Sequence, residues 1–340
     1  MIDAATPRDC LRQLALLARP EDRILSIGRP PEHAPFAARA VHCPLGMPPL
    51  AARRLRAETE GCRVLHAWSR FAAEAATPVA ARRRQRLLLT VPFAASDDAA
   101  RDLAAAAHRE NWLLAVPTRT LRTHLISLRV GAADVRVVPP AAEPVDRAAR
   151  RAAARRALGL AEDDFLFVAP QEMTRHAGHK HVAWAHAIVR EIGCRAKVLL
   201  VGDGPARPFV ENFADSTGFG HEVLRVGYRL PPAECLAAAD AAAFLAERDR
   251  GVGALAAAMA AGLPALCTRL AGQMETCPEG EASVGCEPGV PRTAAAGMLK
   301  LIEQDGLAER LGGNAKARAE AFRPAAIRAA LDEIYAELAG

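Results

Sequence analysis

The sequence predicts an α/β protein with parallel sheets in two domains, and three observations carry that prediction. Short apolar runs alternate with Ala-rich helical stretches along the whole chain. The 340 residues exceed the usual size of one domain. Hydrophobic residues make up 51% and charged residues 24%, which builds buried cores and excludes a disordered or fibrous chain.

In the first half, strands are expected at 23–27, 63–67, 87–91, 112–116 and 135–138, with helices at 71–76 and 99–110. Residues 139–154 hold three prolines, run into RAARRAAARR and read as an exposed connection to a new unit. The rhythm then restarts, with strands at 165–169, 197–201, 222–226, 241–245 and 265–267. Helices are expected at 181–192, 205–217, 231–238, 253–261, 292–303, 307–322 and 324–338, the last opening on a proline at a permitted first-turn position. Residues 251–268 carry no charge, yet they are mostly Ala and Gly with Pro264 near the end. A buried helix fits them better than a membrane span.

The apolar half is unusual in kind: 77 residues are Ala, 15 are aromatic, and 40 Arg stand against 4 Lys. Residues 1–150 carry 23 basic and 15 acidic side chains, and residues 151–340 carry 21 and 24. A basic first half is open to two readings, an anionic acceptor or membrane surface, or a solvated Arg-rich face. The eight cysteines show no CxxC pair and no zinc spacing, and the N-terminal residues lack an apolar signal core. Reduced thiols and a cytoplasmic location are expected, peripheral to the inner face of a membrane if the basic half meets one.

Five phrases of the second half occur in a telling order. LLVGDGPARP is followed by LRVGYRLPPAE, by RDRGVGALAAAMAAGLPALCT, by AGQME and by the closing FRPAAIRAALDEIYAEL. This succession resembles the donor domain of GT-B glycosyltransferases, in particular glycosyltransferase family four. VLHAWSRFAAEAA and LLAVPTRTLRTHLISLRVGAADVRVVPP are more loosely similar to that family's acceptor domain. The resemblance implies two Rossmann-like domains facing across a cleft, the N-terminal one reduced. It places an acceptor-side domain at 1–150, a donor domain at 151–322, and a helix at 323–340 crossing back to the first.

The chemistry of a nucleotide diphosphate sugar agrees. Its pyrophosphate needs backbone N–H groups at a helix N-terminus, approached closely through glycines. Gly251, Val252 and Gly253 lead into an Ala-rich helix and offer such a cradle. Gly178 and Lys180 fall in the loop after the domain's first strand, where a phosphate-facing turn is expected, and Gly227 with Tyr228 resembles the place that holds the base. Gly202 and Gly204 fit a tight turn as well as a ligand contact.

Against the family pattern, the two donor-site glutamates fall on Asp249, which would hold sugar hydroxyls, and on Ala257, which cannot accept a hydrogen bond from ribose. The Arg–Lys diphosphate clamp falls on Glu172 and Ala177, leaving Arg175 and Lys180 as cations that supply the charge from shifted positions or simply lie on the surface. Pro92 stands where the family often places a His, and the glycine-rich loop that opens the first domain is absent. His176, His179, His181 and His186 have no metal-ligand spacing. His66 ends a strand and could polarise an acceptor hydroxyl or be hydrogen-bonded structure. Arg82, Arg83, Arg84 and Arg86 could meet an acidic head group or form a solvated turn, and with no interleaved aromatics they do not suggest nucleic acid.

The resemblance therefore implies a retaining, metal-independent transfer of a hexose from a nucleotide sugar to a glycan or lipid-linked acceptor. The nucleotide sugar is a co-substrate and no further cofactor is expected. The competing reading is a GT-B protein that has lost catalysis and survives as a binding or scaffold partner.

Overall fold

The computed structural model describes residues 1–340 apart from 5, 7, 32–33, 42, 44–46, 48–50 and 94–95. The chain divides into two units, Met1–Ala141 with Pro324–Gly340, and Ala142–Arg323.

The first unit alternates parallel strands and helices: β1 (Ile2–Asp3), α1 (Arg8–Leu17), β2 (Leu25–Ile27), β3 (Arg39–Val41), α2 (Ala52–Glu58), β4 (Leu65–Ala67), α3 (Arg70–Arg82), β5 (Leu87–Thr90), α4 (Asp97–Glu110), β6 (Leu113–Val116), α5 (Arg119–Ser127) and β7 (Val135–Val137). Hydrogen bonding gives the orders β1-β2-β3 and β4-β5-β6-β7. Met1 joins them, because its nitrogen donates to the His66 carbonyl and its carbonyl accepts from Trp68 N at 2.8 Å. All five expected strands form, while β1, β3, α1, α2 and α5 are additional to the sequence reading. Strands of two or three residues are too short to show a period. The loop after β1, where the family's glycine-rich turn is missing, includes residues 5 and 7, which lie outside the described ones.

The second unit begins with α6 (Arg147–Ala157), which corrects two expectations. The stretch read as an exposed connection is a helix, and the boundary lies before it and not at 150. Residues 147, 151 and 155 share one helical face by their spacing of four. Arg151 and Arg155 both pair with Asp240, at 2.5 and 3.2 Å, and both donate to carbonyls of residues 238–239. The Arg-rich sequence thus fastens the helix to the sheet.

There follow β8 (Phe165–Pro170), α7 (His179–Glu191), β9 (Ala196–Val201), α8 (Arg207–Ser216), β10 (Val223–Gly227), α9 (Pro232–Ala238), β11 (Ala241–Phe244), α10 (Val252–Ala260), β12 (Ala265–Thr268), α11 (Ala271–Thr276), β13 (Ser283–Cys286), α12 (Pro291–Glu303) and α13 (Leu307–Ala319). The sheet is all parallel in the order β10-β9-β8-β11-β12-β13. Its strands are buried on both faces, as helices on either side require. Leu166, Val168, Leu199 and Val201 pack into one core, and Phe167, Ala169, Val198 and Leu200 into the other.

The charge-free stretch from residue 251 resolves into the buried α10 followed by β12, and no helix among the described residues is long and apolar enough to cross a membrane. The last helix, α14 (Pro324–Ala339), belongs to the first unit and buries Ile327, Leu331 and Ile334 at helical spacing. Arg136 pairs with Glu337 at 2.8 Å, and Arg328 donates to the Leu16 carbonyl at 2.9 Å.

Candidate functional site

In the second unit's strand order, successive connections run one way from β8 to β10 and the other way from β11 to β13. The loops after β8 and β11 therefore leave neighbouring strands toward opposite faces and open a crevice at the strands' carboxyl ends, the usual ligand position in such sheets. Residues 171–178 form one wall and residues 245–251 the other.

The walls are in close contact. Glu247 N donates across to the His176 carbonyl at 3.1 Å, and within the first wall the buried Gln171 donates through Nε2 to the Ala177 carbonyl at 2.6 Å. Gly178 has φ +85° and Gly251 has φ +73°, both in the left-handed region. A Cβ on Gly178 would sit 2.0 Å from the Leu245 carbonyl oxygen, and one on Gly251 would sit 2.4 Å from Oε1 of Gln171. Both positions require glycine for conformation and for space. Gly178 precedes α7 and Gly251 precedes α10, and neither helix has a side-chain N-cap. Two positive helix ends, including the amides of Val252 and Gly253, thus open at one crevice.

Asp249 lies on the β11 wall with one oxygen already engaged. Its Oδ1 accepts from Gly272 N at 2.9 Å and Gln273 N at 3.2 Å, capping α11. Among the described residues its Oδ2 accepts no hydrogen bond. Gly227 and Tyr228 lie at the end of β10, two strands from β8, or about 10 Å at the usual strand spacing. The turn at Gly202 and Gly204 packs on the β8 loop, Met173 N donating to the Asp203 carbonyl at 2.9 Å. Added Cβ atoms there would meet the carbonyls of Gln171 and Met173 at 2.2 and 2.5 Å, so loop packing accounts for both glycines.

The two shifted cations separate. Lys180 turns to an aromatic cluster, its Nζ 5.5, 5.5 and 5.1 Å from the ring centres of Trp184, Phe209 and Phe213. That contact satisfies its charge on the outer side of α7 and α8, away from the role expected of it. Arg175 is exposed and, among the described residues, makes neither an ion pair nor a hydrogen bond. Glu172 is exposed and Ala177 is buried, while Ala257 lies half-buried in the body of α10. Arg248 and Arg250, on either side of Asp249, are two cations that the family comparison does not single out, although the RDR triplet places both on the same loop.

Three of the four clustered histidines have structural partners. Nδ1 of His176 and Nε2 of His181 each lie 2.8 Å from one oxygen of Glu247. Burial pushes the Glu247 carboxyl up, but those two hydrogen bonds and the imidazole charges outweigh it and hold the group below the usual glutamate range. His179 is buried at the start of α7, and its pKa falls to about 4. Desolvation is the main cause, the carbonyls of Ala169 and Gln171 oppose it, and the charge of Arg250 adds to it. His186 is buried with Nε2 3.0 Å from the Ala196 carbonyl. Among the described residues no group of three His, Cys, Asp or Glu could hold a metal ion.

In the first unit, His66 has both ring nitrogens committed, Nδ1 to Tyr335 Oη at 2.8 Å and Nε2 to Thr90 Oγ1 at 2.7 Å. Burial, then the nearby N-terminal charge, drives its pKa well below the ordinary value. It ties α14 to β4 and β5, with no nitrogen left to polarise an acceptor. Arg83 donates to the Thr59 carbonyl at 2.9 Å, and Arg86 pairs with Asp134 at 2.7 Å, so half of the arginine run holds loops together.

Comparison with known proteins adds to this geometry. Residues 150–318 match the family of group 1 glycosyl transferases. The N-acetyl-alpha-D-glucosaminyl L-malate synthase of Bacillus anthracis is 29% identical over 179 residues, 52% of this chain and 46% of its own length. The match thus spans under half of that relative. Anabaena HepE in complex with UDP-glucose superposes with a TM-score of 0.86 at 19% identity, over 99% of this chain and 98% of HepE. WaaG, a glycosyltransferase involved in lipopolysaccharide biosynthesis, gives 0.69 at 16% identity, over 98% and 99%. At such identities the solved structures establish the fold. Residues 150–318 are thus a group 1 glycosyl transferase domain, set in a chain of GT-B fold.

Proposed function

We propose that the protein transfers a hexosyl group from a nucleotide diphosphate sugar to a hydroxyl of a glycan or lipid-linked acceptor, with retention and without a metal ion. The observation that carries this reading is the crevice between the β8 and β11 loops, where Gly178 and Gly251 hold two helix N-termini together. The diphosphate is the leaving group, and its developing charge is met by the amides of Val252 and Gly253 and by the exposed Arg175. Fixed donors of this kind act most strongly on charge that grows in the transition state. They supply the positive field that a divalent cation supplies in other sites. Asp249 offers its remaining oxygen to the sugar hydroxyls, and Gly227 with Tyr228 receives the base. The UDP and UDP-glucose complexes of HepE support uridine as the first base to test.

A cytoplasmic protein with a peripheral membrane contact is part of the same reading. Arg53, Arg54, Arg56, Arg82 and Arg84 are exposed around the ends of α2 and α3 and supply the basic face.

Two residues favour the second reading, a GT-B protein that binds without transfer. Ala257 cannot hold ribose, and an unpaired ribose diol weakens binding by about 1–3 kcal/mol. Ala177 is buried, so no cation replaces the family's lysine there. Thermal shift and diphosphate release with UDP-, GDP- and ADP-sugars separate the readings. Transfer predicts stabilisation and release with at least one of them, and a loss of release in Asp249→Ala. Stabilisation without release supports the binding protein. No stabilisation by any sugar nucleotide defeats the transfer reading and leaves the binding or scaffold protein.

A further inference from the structure

We propose that Glu247 is a positioning residue for the diphosphate subsite, acting through His176 and His181; the inference rests on the donor-site reading above. A carboxylate is an unexpected side chain beside a site for a dianion. Here both of its oxygens are consumed, Oε2 by His176 Nδ1 and Oε1 by His181 Nε2, each at 2.8 Å. Its own amide donates to the His176 carbonyl at 3.1 Å, so His176 is gripped by main chain and side chain together.

Three segments meet on this one residue: the loop after β8, the first turn of α7 and the loop after β11. His176 directly follows Arg175 and comes two residues before Gly178, while Glu247 stands two residues before Asp249. The clasp therefore fixes the backbone of Arg175 and the α7 amides of one wall in register with Asp249 and the α10 amides of the other. The ring atoms that face the carboxylate are fixed by the geometry. Nε2 of His181 meets Oε1 of Glu247, and its Nδ1 is buried with no hydrogen-bond partner among the described residues. His176 meets Oε2 through Nδ1, so each carboxylate oxygen is turned toward an imidazole and its repulsion of an incoming phosphate is reduced.

This arrangement separates a positioning role from a merely repulsive neighbour by the sign of an effect. The test is the full chain with Glu247→Ala and Glu247→Gln, read by calorimetric binding of UDP, GDP and ADP and by amide hydrogen exchange of residues 172–178 without ligand. In Glu247→Ala, exchange in 172–178 rises about tenfold or more, and the nucleoside diphosphate that the wild type binds is held about tenfold more weakly, the worth of a lost charged hydrogen bond. Glu247→Gln keeps one acceptor oxygen and falls between. In turnover the loss appears in KM for the sugar nucleotide, with kcat within a factor of about three. Equal or tighter binding by Glu247→Ala overturns the proposal, as does unchanged exchange in 172–178. A wild type that binds none of the three diphosphates overturns the donor-site reading itself and this inference with it.

Discussion

Gly178 and Gly193 share the same backbone conformation and differ in what surrounds them, so a matched pair of substitutions measures the contact between the two crevice walls. Both have φ +85°. A Cβ on Gly193 meets nothing within 4 Å, whereas one on Gly178 lands 2.0 Å from the Leu245 carbonyl oxygen. Each alanine carries the left-handed penalty of about 1–2 kcal/mol. Only Gly178→Ala must also move one loop by more than an ångström, since an ordinary contact at that pair begins near 3.4 Å. Such a shift breaks the hydrogen bonds that cross between the loops, from Glu247 N to the His176 carbonyl and between His176 Nδ1 and the Glu247 carboxylate. At about 1 kcal/mol each, these add about 2 kcal/mol to the loss in Gly178→Ala. For a unit of this size that is an extra fall of about 4–8 °C in Tm, read by calorimetry on the two variants. Equal Tm values for the pair would refute the close approach and with it the geometry of the crevice.

Two further outcomes follow from the charges. His179 is neutral in the folded unit with its pKa lowered to about 4, so its contribution to stability is complete above its unfolded value near 6.5 and is lost as pH falls toward 4. The full loss is about 3 kcal/mol, and His179→Gln flattens this slope in urea unfolding between pH 7 and 4.5; an unchanged slope places the acid sensitivity elsewhere. Replacing Arg53, Arg54, Arg82 and Arg84 by Gln is expected to abolish co-sedimentation with vesicles containing phosphatidylglycerol while leaving Tm within about 2 °C, since exposed charges contribute little to folding; retained sedimentation removes this face as the membrane contact.

How much of this was legible in the sequence depended on how far apart the partners lie. β8 and β9 announce themselves because strands covered on both faces are continuous apolar runs, FLFVAP and AKVLLV. β13 is equally buried, but SVGC is short and carries a glycine in place of a bulky residue, because a Cβ on Gly285 would lie 2.4 Å from the Glu279 carboxylate. α6 was hidden by its own charge. Nothing local in RAARRAAARRA shows that Arg155 will be buried against Asp240, which lies 85 residues later.

The crevice divides along the same line. Gly178, Gly251 and the helix starts they precede were readable, because a glycine before an amphipathic or apolar run is a local signal for close backbone approach. The direction of Lys180 was not, because Phe209 and Phe213 reach it from another helix. Asp249 shows the limit most plainly. The alignment assigns it to the sugar hydroxyls, and folding in addition gives Oδ1 to the amides of Gly272 and Gln273. That division has a physical logic. A short carboxylate anchored at one oxygen to a helix N-terminus loses its rotamer freedom before any ligand arrives, so the remaining oxygen is presented in a fixed direction and the entropy of ordering it is already met.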